Sequence, residues 1–449
     1  MSEIPFFNQL KLQDMEDERL SPFAIRSSNS SRRIKIRDEG REYKFRTEFQ
    51  RDRDRIIHSR AFRRLKHKTQ VFVPYDGDHQ RTRLTHTIEV SQISRTVARA
   101  LNLNEDLAEA IACGHDLGHT PFGHSGEDIL NNIMTGIEPL EGISPAVLKK
   151  AGGFKHNYQS LRTVDLLEKR YDYNGINLTD DTREGILKHT SYDPERKYPD
   201  LITEGLNLDM APQFEAQVVS VSDEVAQIAH DLEDGMRAGE VPLQKIEELQ
   251  VGQHIIKHLG SRYTDSRSTF LKQNMMIRGM IHLFVTNIVM TSGKNLEEWS
   301  KKNDIDTAQK FYDSRSLVED RTIWFNDEAE KLYHDLKGFV RKWIINSFHV
   351  NRADGRAKYF LRKIFEAYYN NPLQLENYVL IRFREKEKIR YLRDIDIAEQ
   401  EEELKTNYRG NHNFIRMICD HIAGMSDAYA LREFEKLFIP YQLNTTAVK

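Results

Sequence analysis

Sixteen residues, Cys113-Gly-His-Asp-Leu-Gly-His-Thr-Pro-Phe-Gly-His-Ser-Gly-Glu-Asp128, narrow what this chain can fold into more than any other stretch. Leu107, Ala110 and Ile111 precede the His115-Asp116 pair at helical spacing, which puts that pair near the end of a largely buried helix. Gly118, Pro121 and Gly123 then break the helix and turn the chain. A second helix is predicted to start between Phe122 and Ser125, with His124 and Glu127 three apart on one face. The fold must therefore gather His115, Asp116, His119, His124 and Glu127 around one turn between helices. His115 and Asp116 offer an imidazole nitrogen and a carboxylate oxygen from one point of the backbone, a mix that suits a borderline-to-hard divalent cation. A lone His-Asp dipeptide carries no such meaning. The further histidines, the nearby acid and the glycines set this one apart.

Composition excludes several classes. The 449 residues are enough for one large domain or two to three small ones. A hydrophobic content of 39% and a charged content of 30% describe a polar-surfaced globular chain. A net charge of −3 points to no particular partner. Cys113 and Cys419 are the two cysteines and form no CxxC, so a disulfide framework is excluded and a reducing, cytoplasmic setting is expected. No apolar run approaches the length of a membrane span, and the N-terminus lacks signal-peptide form, so no membrane partner is expected.

Along the chain, residues 1–31 read as a loose arm ending in Ser27-Ser-Asn-Ser-Ser31. From Arg32 to Lys68 there are fifteen Lys/Arg against six Asp/Glu. Either this is a solvated helix with local ion pairs, or its guanidinium groups form a polyanion site. The extended Val71-Phe-Val-Pro74, the turn Tyr75–Asp78 and the following Arg81 and Arg83 favour the second reading. A helix from Thr85 to about Asn102 carries His86. Paired antiparallel with the helix before His115, it lets the two histidines meet. Residues 171–212 are loop-rich, and Lys188-His-Thr-Ser-Tyr192 suits a pocket rim. Phe214 to Met236 is a clear helix, with Asp223 beside its apolar stripe, where an acid is costly unless paired or metal-bound. Gln227 and Asp231 follow on roughly the same side. Residues 241–449 are mostly helical by periodicity, with basic faces at Lys358–Lys363 and Lys386–Arg393 that read as exposed.

His86, His115, Asp116 and Asp223 thus form a candidate metal set drawn from three helices. Their H…HD…D order resembles the HD-domain phosphohydrolases, an all-α superfamily. Phe62–Phe72, Arg81–Val90, His115–Glu127 and Asp420-His-Ile-Ala-Gly-Met-Ser-Asp-Ala-Tyr-Ala430 together resemble the dGTPase-like family of deoxynucleoside triphosphate triphosphohydrolases, over about residues 30–440. That resemblance implies an HD-domain helical core at 32–240, with a basic phosphate-binding segment, and a large helical C-terminal region at 241–449. It implies hydrolysis of dGTP or several dNTPs to a deoxynucleoside plus triphosphate. By the same resemblance His86, His115, Asp116 and Asp223 hold Mg, Mn, Fe, Co or Ni. His124 and Glu127 match a catalytic His–acid pair, and His156 a further catalytic histidine. Gln70 and Asp231 face the sugar and Arg83 a phosphate. From the residues themselves, His119 in the His-rich stretch and Tyr192 on the 188–192 rim are further substrate-binding candidates. Relatives often carry Tyr where this chain has Gln227, a departure that bears on sugar discrimination, unless Tyr192 fills that space. A homo-oligomer and a nucleotide or single-stranded DNA effector are also implied. The alternatives are another HD-type nucleotide phosphohydrolase and a nucleic-acid-binding protein using residues 32–68.

Overall fold

The structure, a computed structural model, describes residues 8–35, 45–70, 81–196 and 198–439. Among the described residues there is no strand, only the isolated bridges Arg32–Thr179, Thr69–Thr82 and Lys169–Gly175. The fold is all-α. The expected extended piece at 71–74 and turn at 75–78 lie outside the described residues.

The N-terminal half supplies α1 (Gln9–Arg19), α2 (Glu48–Ile57), α3 (Arg83–Ala100), α4 (Glu105–Gly114), α5 (Gly123–Thr135), α6 (His156–Arg162), α7 (Asp180–Lys188) and α8 (Phe214–Arg237). Helix α3 starts earlier than expected. Thr82 is its N-cap, and the Thr85 hydroxyl accepts from the Thr82 backbone N–H inside the first turn. The α8 stripe of Phe214, Val218, Val221, Val225, Ile228 and Leu232 is buried, and the helix packs against α3 and α4. Each such side chain contributes on the order of 1.5–3 kcal/mol by leaving water.

The C-terminal half supplies α9 (Thr269–Lys302), α10 (Asp327–Val340), α11 (Phe348–Asn370), α12 (Asn377–Glu387), α13 (His412–Ala423) and α14 (Asp427–Phe438). It divides between two cores. Residues from α9 and α10 share one apolar cluster with α3, α4 and α8. Residues from α11 to α14 share a second with α5. The turn from α4 to α5 crosses from the first cluster to the second and carries the His-rich stretch. Its close approach to α6 depends on Gly118, where a Cβ would stand 2.2 Å from the Ser160 backbone nitrogen.

Two sequence expectations change here. The N-terminal arm is not loose over residues 8–31. Phe23, Ala24 and Ile25 enter the first core, and the Arg26 guanidinium is held by the carbonyls of Leu20, Ser21 and Ala24. The polar Ser27–Ser31 run concealed an anchored segment. Helix α9 is also long and apolar enough, by length and composition, to cross a membrane. It buries Met276, Met280, Phe284, Ile288, Leu296 and Trp299 along one stripe within the protein.

Candidate active site

Helix ends and one helix middle position the metal candidates. His86 stands one turn into α3, His115 and Asp116 follow the last residue of α4, and Asp223 sits midway along α8. The ligand atoms of His86, His115 and Asp116 lie within 4.8 Å of one another, and all three residues are buried. His86 Nε2 is 2.9 Å from Asp223 Oδ1, and His115 Nε2 is 3.4 Å from Asp116 Oδ1 and 3.9 Å from Asp223 Oδ1.

Hydrogen bonding decides which way His115 faces. Its Nδ1 lies 2.6 Å from the Ala112 carbonyl, which can only accept, so the ring proton is on Nδ1. Nε2 then carries a lone pair, fully buried and without a partner. A buried imidazole lone pair aimed at two carboxylates fits a divalent cation, and the two-nitrogen, two-carboxylate donor set without thiolate matches that use. Burial works against ionising Asp223, but the close His86 ring and the nearby His115 hold its carboxyl below the usual range. Asp116 is likewise held well below that range against the effect of burial, by His115, His119 and Arg83.

The Arg83 guanidinium donates to Asp116 Oδ2 at 2.7 Å, both groups being buried. In this structure it therefore steadies a metal-candidate carboxylate. A second group of donors adjoins the first through Asp116. His119 Nε2 is 3.1 Å from Asp116 Oδ1, and its ring stacks on His156 with centroids 4.0 Å apart. Burial and Arg83 push the proton affinity of His119 well below that of a free imidazole.

The expected His124–Glu127 pair does not form. Glu127 accepts instead from His156, whose Nδ1 lies 2.9 Å from Oε2 and whose backbone N–H points at Oε1. The reason is geometric: α6 begins at His156 and presents both donors to that carboxylate, while His124 stays open to solvent beside His119. Burial opposes charge on Glu127, yet His156 and its neighbours hold its pKa far below the usual range.

Of the other sequence candidates, Gln70 and Asp231 are buried, and Gln70 Oε1 and Asp231 Oδ1 have no partner within the protein. Burial raises the Asp231 pKa to about 7. Gln227 is half-buried one turn beyond Asp223. Tyr192 stacks on Tyr158 at 5.9 Å, with the Lys188 ammonium over its ring.

Sequence reasoning missed two histidines. His189 is fully enclosed, 5.2 Å from the His115 ring and 5.6 Å from His156, and burial lowers its pKa to about 3. The 188–192 segment signalled a pocket rim, but drew attention to Tyr192. His230, next to Asp231, lies against His86. The basic segment is also less cationic than its count suggests. Arg32 pairs with Glu48 and Asp52, Arg46 with Asp54, and Arg53 with Asp54 and Glu109.

An all-helical core carrying an H…HD…D cluster defines the HD phosphohydrolase class of hydrolases. Residues 83–229 match the family described as HD domain, and residues 323–400 and 381–436 match the phosphohydrolase-associated domain. Proteins named deoxyguanosinetriphosphate triphosphohydrolase-like protein resemble the chain almost end to end. One from Nitrosomonas europaea is 38% identical over 93% of this chain and 98% of its own length. One from Geobacter metallireducens is 36% identical over 96% and 98%. The chain belongs to this deoxyguanosinetriphosphate triphosphohydrolase-like family of HD-domain proteins.

Proposed function

We propose that this hydrolase is a metal-dependent deoxynucleoside triphosphate triphosphohydrolase, acting on dGTP or several dNTPs and releasing a deoxynucleoside and intact triphosphate. The observation that carries the reading is the unpartnered His115 Nε2, buried beside His86, Asp116 and Asp223 and next to a histidine–carboxylate pair. The printed names of the relatives support the substrate class.

A divalent cation held by His86, His115, Asp116 and Asp223 would supply Lewis-acid polarisation of a phosphoryl oxygen and of water. In the overall reaction the water oxygen bonds to the α-phosphorus, the bond from that phosphorus to O5′ breaks, and O5′ leaves with a proton. His124 and His156 are the proton-handling groups, with Glu127 fixing the orientation of His156. The free acceptors on Gln70 and Asp231 suit sugar hydroxyls, because a buried acceptor without a partner costs about 1–3 kcal/mol until a donor arrives.

Product analysis with each of the four dNTPs tests the reading. Deoxynucleoside and triphosphate are expected in equal amounts. Release of a nucleoside monophosphate with diphosphate, or of orthophosphate, overturns it. Asp116→Ala should lose bound metal and turnover, whereas His124→Ala should keep the metal and lose on the order of a hundredfold in kcat. Loss of metal from His124→Ala would make His124 a ligand.

A further inference from the structure

Resting on the metal-dependent reading above, we propose that His230 and Glu89 form a positioning relay behind His86, fixing which of its ring nitrogens faces the cation. No ligand-set pattern includes these two residues.

The argument follows the protons from the outside inwards. Glu89 Oε2 contacts His230 Nε2, and Arg81 Nη1 stands 3.5 Å from that same oxygen. A carboxylate only accepts, so His230 must carry a proton on Nε2. With its one ring proton placed at Nε2, His230 presents a lone pair at Nδ1. That nitrogen is 3.2 Å from His86 Nδ1, and two ring nitrogens at such a distance share one proton. His86 therefore donates from Nδ1, which leaves the lone pair on its Nε2. This is the nitrogen 2.9 Å from Asp223 Oδ1. A lone pair and a carboxylate oxygen that close repel unless a positive charge, a metal ion or an extra proton, stands between them. The relay thus delivers His86 as a neutral donor aimed at the cation position.

Geometry makes the assignment a fixed one. His86 and His230 are both buried, with ring centroids 5.2 Å apart and planes at 79°, so neither ring is free to turn over. His230 sits on α8, the helix that also carries Asp223, whereas His86 and Glu89 lie three apart on α3. The relay therefore ties together the two helices that contribute His86 and Asp223. His115 has a simpler version of the same device in its bond to the Ala112 carbonyl. Outer partners of this kind typically set metal affinity by about ten- to a hundredfold.

The experiment titrates Mn²⁺ or Co²⁺ into metal-stripped full-length protein by calorimetry, and records the visible spectrum of the Co²⁺ form. Glu89 is half-exposed, so Glu89→Ala keeps the fold while removing the terminal acceptor. His230→Ala removes the inner one, and His230→Asn restores an acceptor oxygen near the old Nδ1 position. Expected are a weakening of about ten- to a hundredfold in His230→Ala, a smaller loss in Glu89→Ala, partial rescue in His230→Asn and an altered Co²⁺ spectrum. Wild-type affinity and spectrum in both Glu89→Ala and His230→Ala would overturn the relay and leave the proposed function standing. Wild-type protein that takes up neither ion would overturn both.

Discussion

Replacing Asp427 should cripple catalysis without touching a metal candidate. This residue opens α14, far from the His-rich stretch in sequence, yet its carboxylate reaches into the site. Oδ2 accepts from the Thr69 backbone N–H at 2.8 Å and from the Thr69 hydroxyl, and Oδ1 accepts from the Phe122 N–H at 2.9 Å. Thr69 precedes Gln70. Phe122 stands two residues before His124, in the left-handed region at φ 60°. The neighbouring Lys68 ammonium bonds the His119 and Ala423 carbonyls, so one C-terminal corner holds both segments. Hydrogen bonds to a charged acceptor are worth about 1.5–3 kcal/mol each, and buried donors left unpaired cost about 1–3 kcal/mol. Asp427→Ala, which strands two buried N–H groups and a hydroxyl, should lose roughly 3–5 kcal/mol of stability. Asp427→Asn keeps one acceptor and turns an amide N–H₂ towards the other donor, which should cost roughly 2 kcal/mol. Because His124 and Gln70 lose their anchor, kcat in Asp427→Asn should fall by about tenfold or more while bound metal stays at the wild-type level. Denaturant unfolding, metal analysis and triphosphate release measure the three quantities. A variant with lowered stability but wild-type kcat would show that the corner is structural only.

Two further outcomes follow from burial and from the sugar side of the site. Glu215 is fully buried and accepts from the Ile25 and Asn104 backbone N–H groups, and burial, with Asp181 nearby, raises its pKa from about 4.5 to about 7. A raised folded-state pKa favours the fold below about pH 4.5, and that contribution is lost as pH rises through about 7, to a limit of about 3 kcal/mol. Glu215→Gln should therefore melt higher than wild type at pH 8 but not at pH 5, and an equal gap at both pH values would contradict this. Gln227→Tyr should lower kcat/KM for GTP relative to dGTP by about tenfold, by crowding the 2′-hydroxyl. An unchanged ratio would show that Gln227 does not read the sugar.

What could be read from the sequence was whatever depends on local spacing. The α8 stripe, the helix ending at His115-Asp116 and the break at Gly118 all follow from neighbours within a few residues. Partnerships across the fold were not legible. Glu127 sits at helical spacing from His124, so a local reading pairs them, but the hydrogen bond goes to His156, twenty-nine residues on. The second partner of Arg53 was hidden in the same way, because Glu109 lies fifty-six residues on. Serine-rich 27–31 looks loose because nothing in it shows that Arg26 will be wrapped by three carbonyls.

The C-terminal stretch Asp420–Ala430 shows how such long-range ties acquire a functional meaning. By sequence it resembles part of a family signature, and none of the candidate metal or catalytic residues lies in it. Asp420 accepts a two-pronged bond from the Arg162 guanidinium, at 2.8 and 2.9 Å, and a further bond from Gln159. Arg162 and Gln159 lie on α6, the helix whose first residue is His156. Asp427 holds the segments ending in Gln70 and His124. The two acids, seven residues apart, thus fix the three elements that bring His156, His124 and Gln70 towards the metal candidates. The second apolar core, made by α5 with α11 to α14, supports that corner, so the C-terminal region acts as part of the active-site scaffold. The metal candidates themselves come from α3, α4 and α8 in the first core. On the proposed function the cation is held from the first core and His124 from the second, which is why a change at Asp427 is expected to separate metal content from turnover.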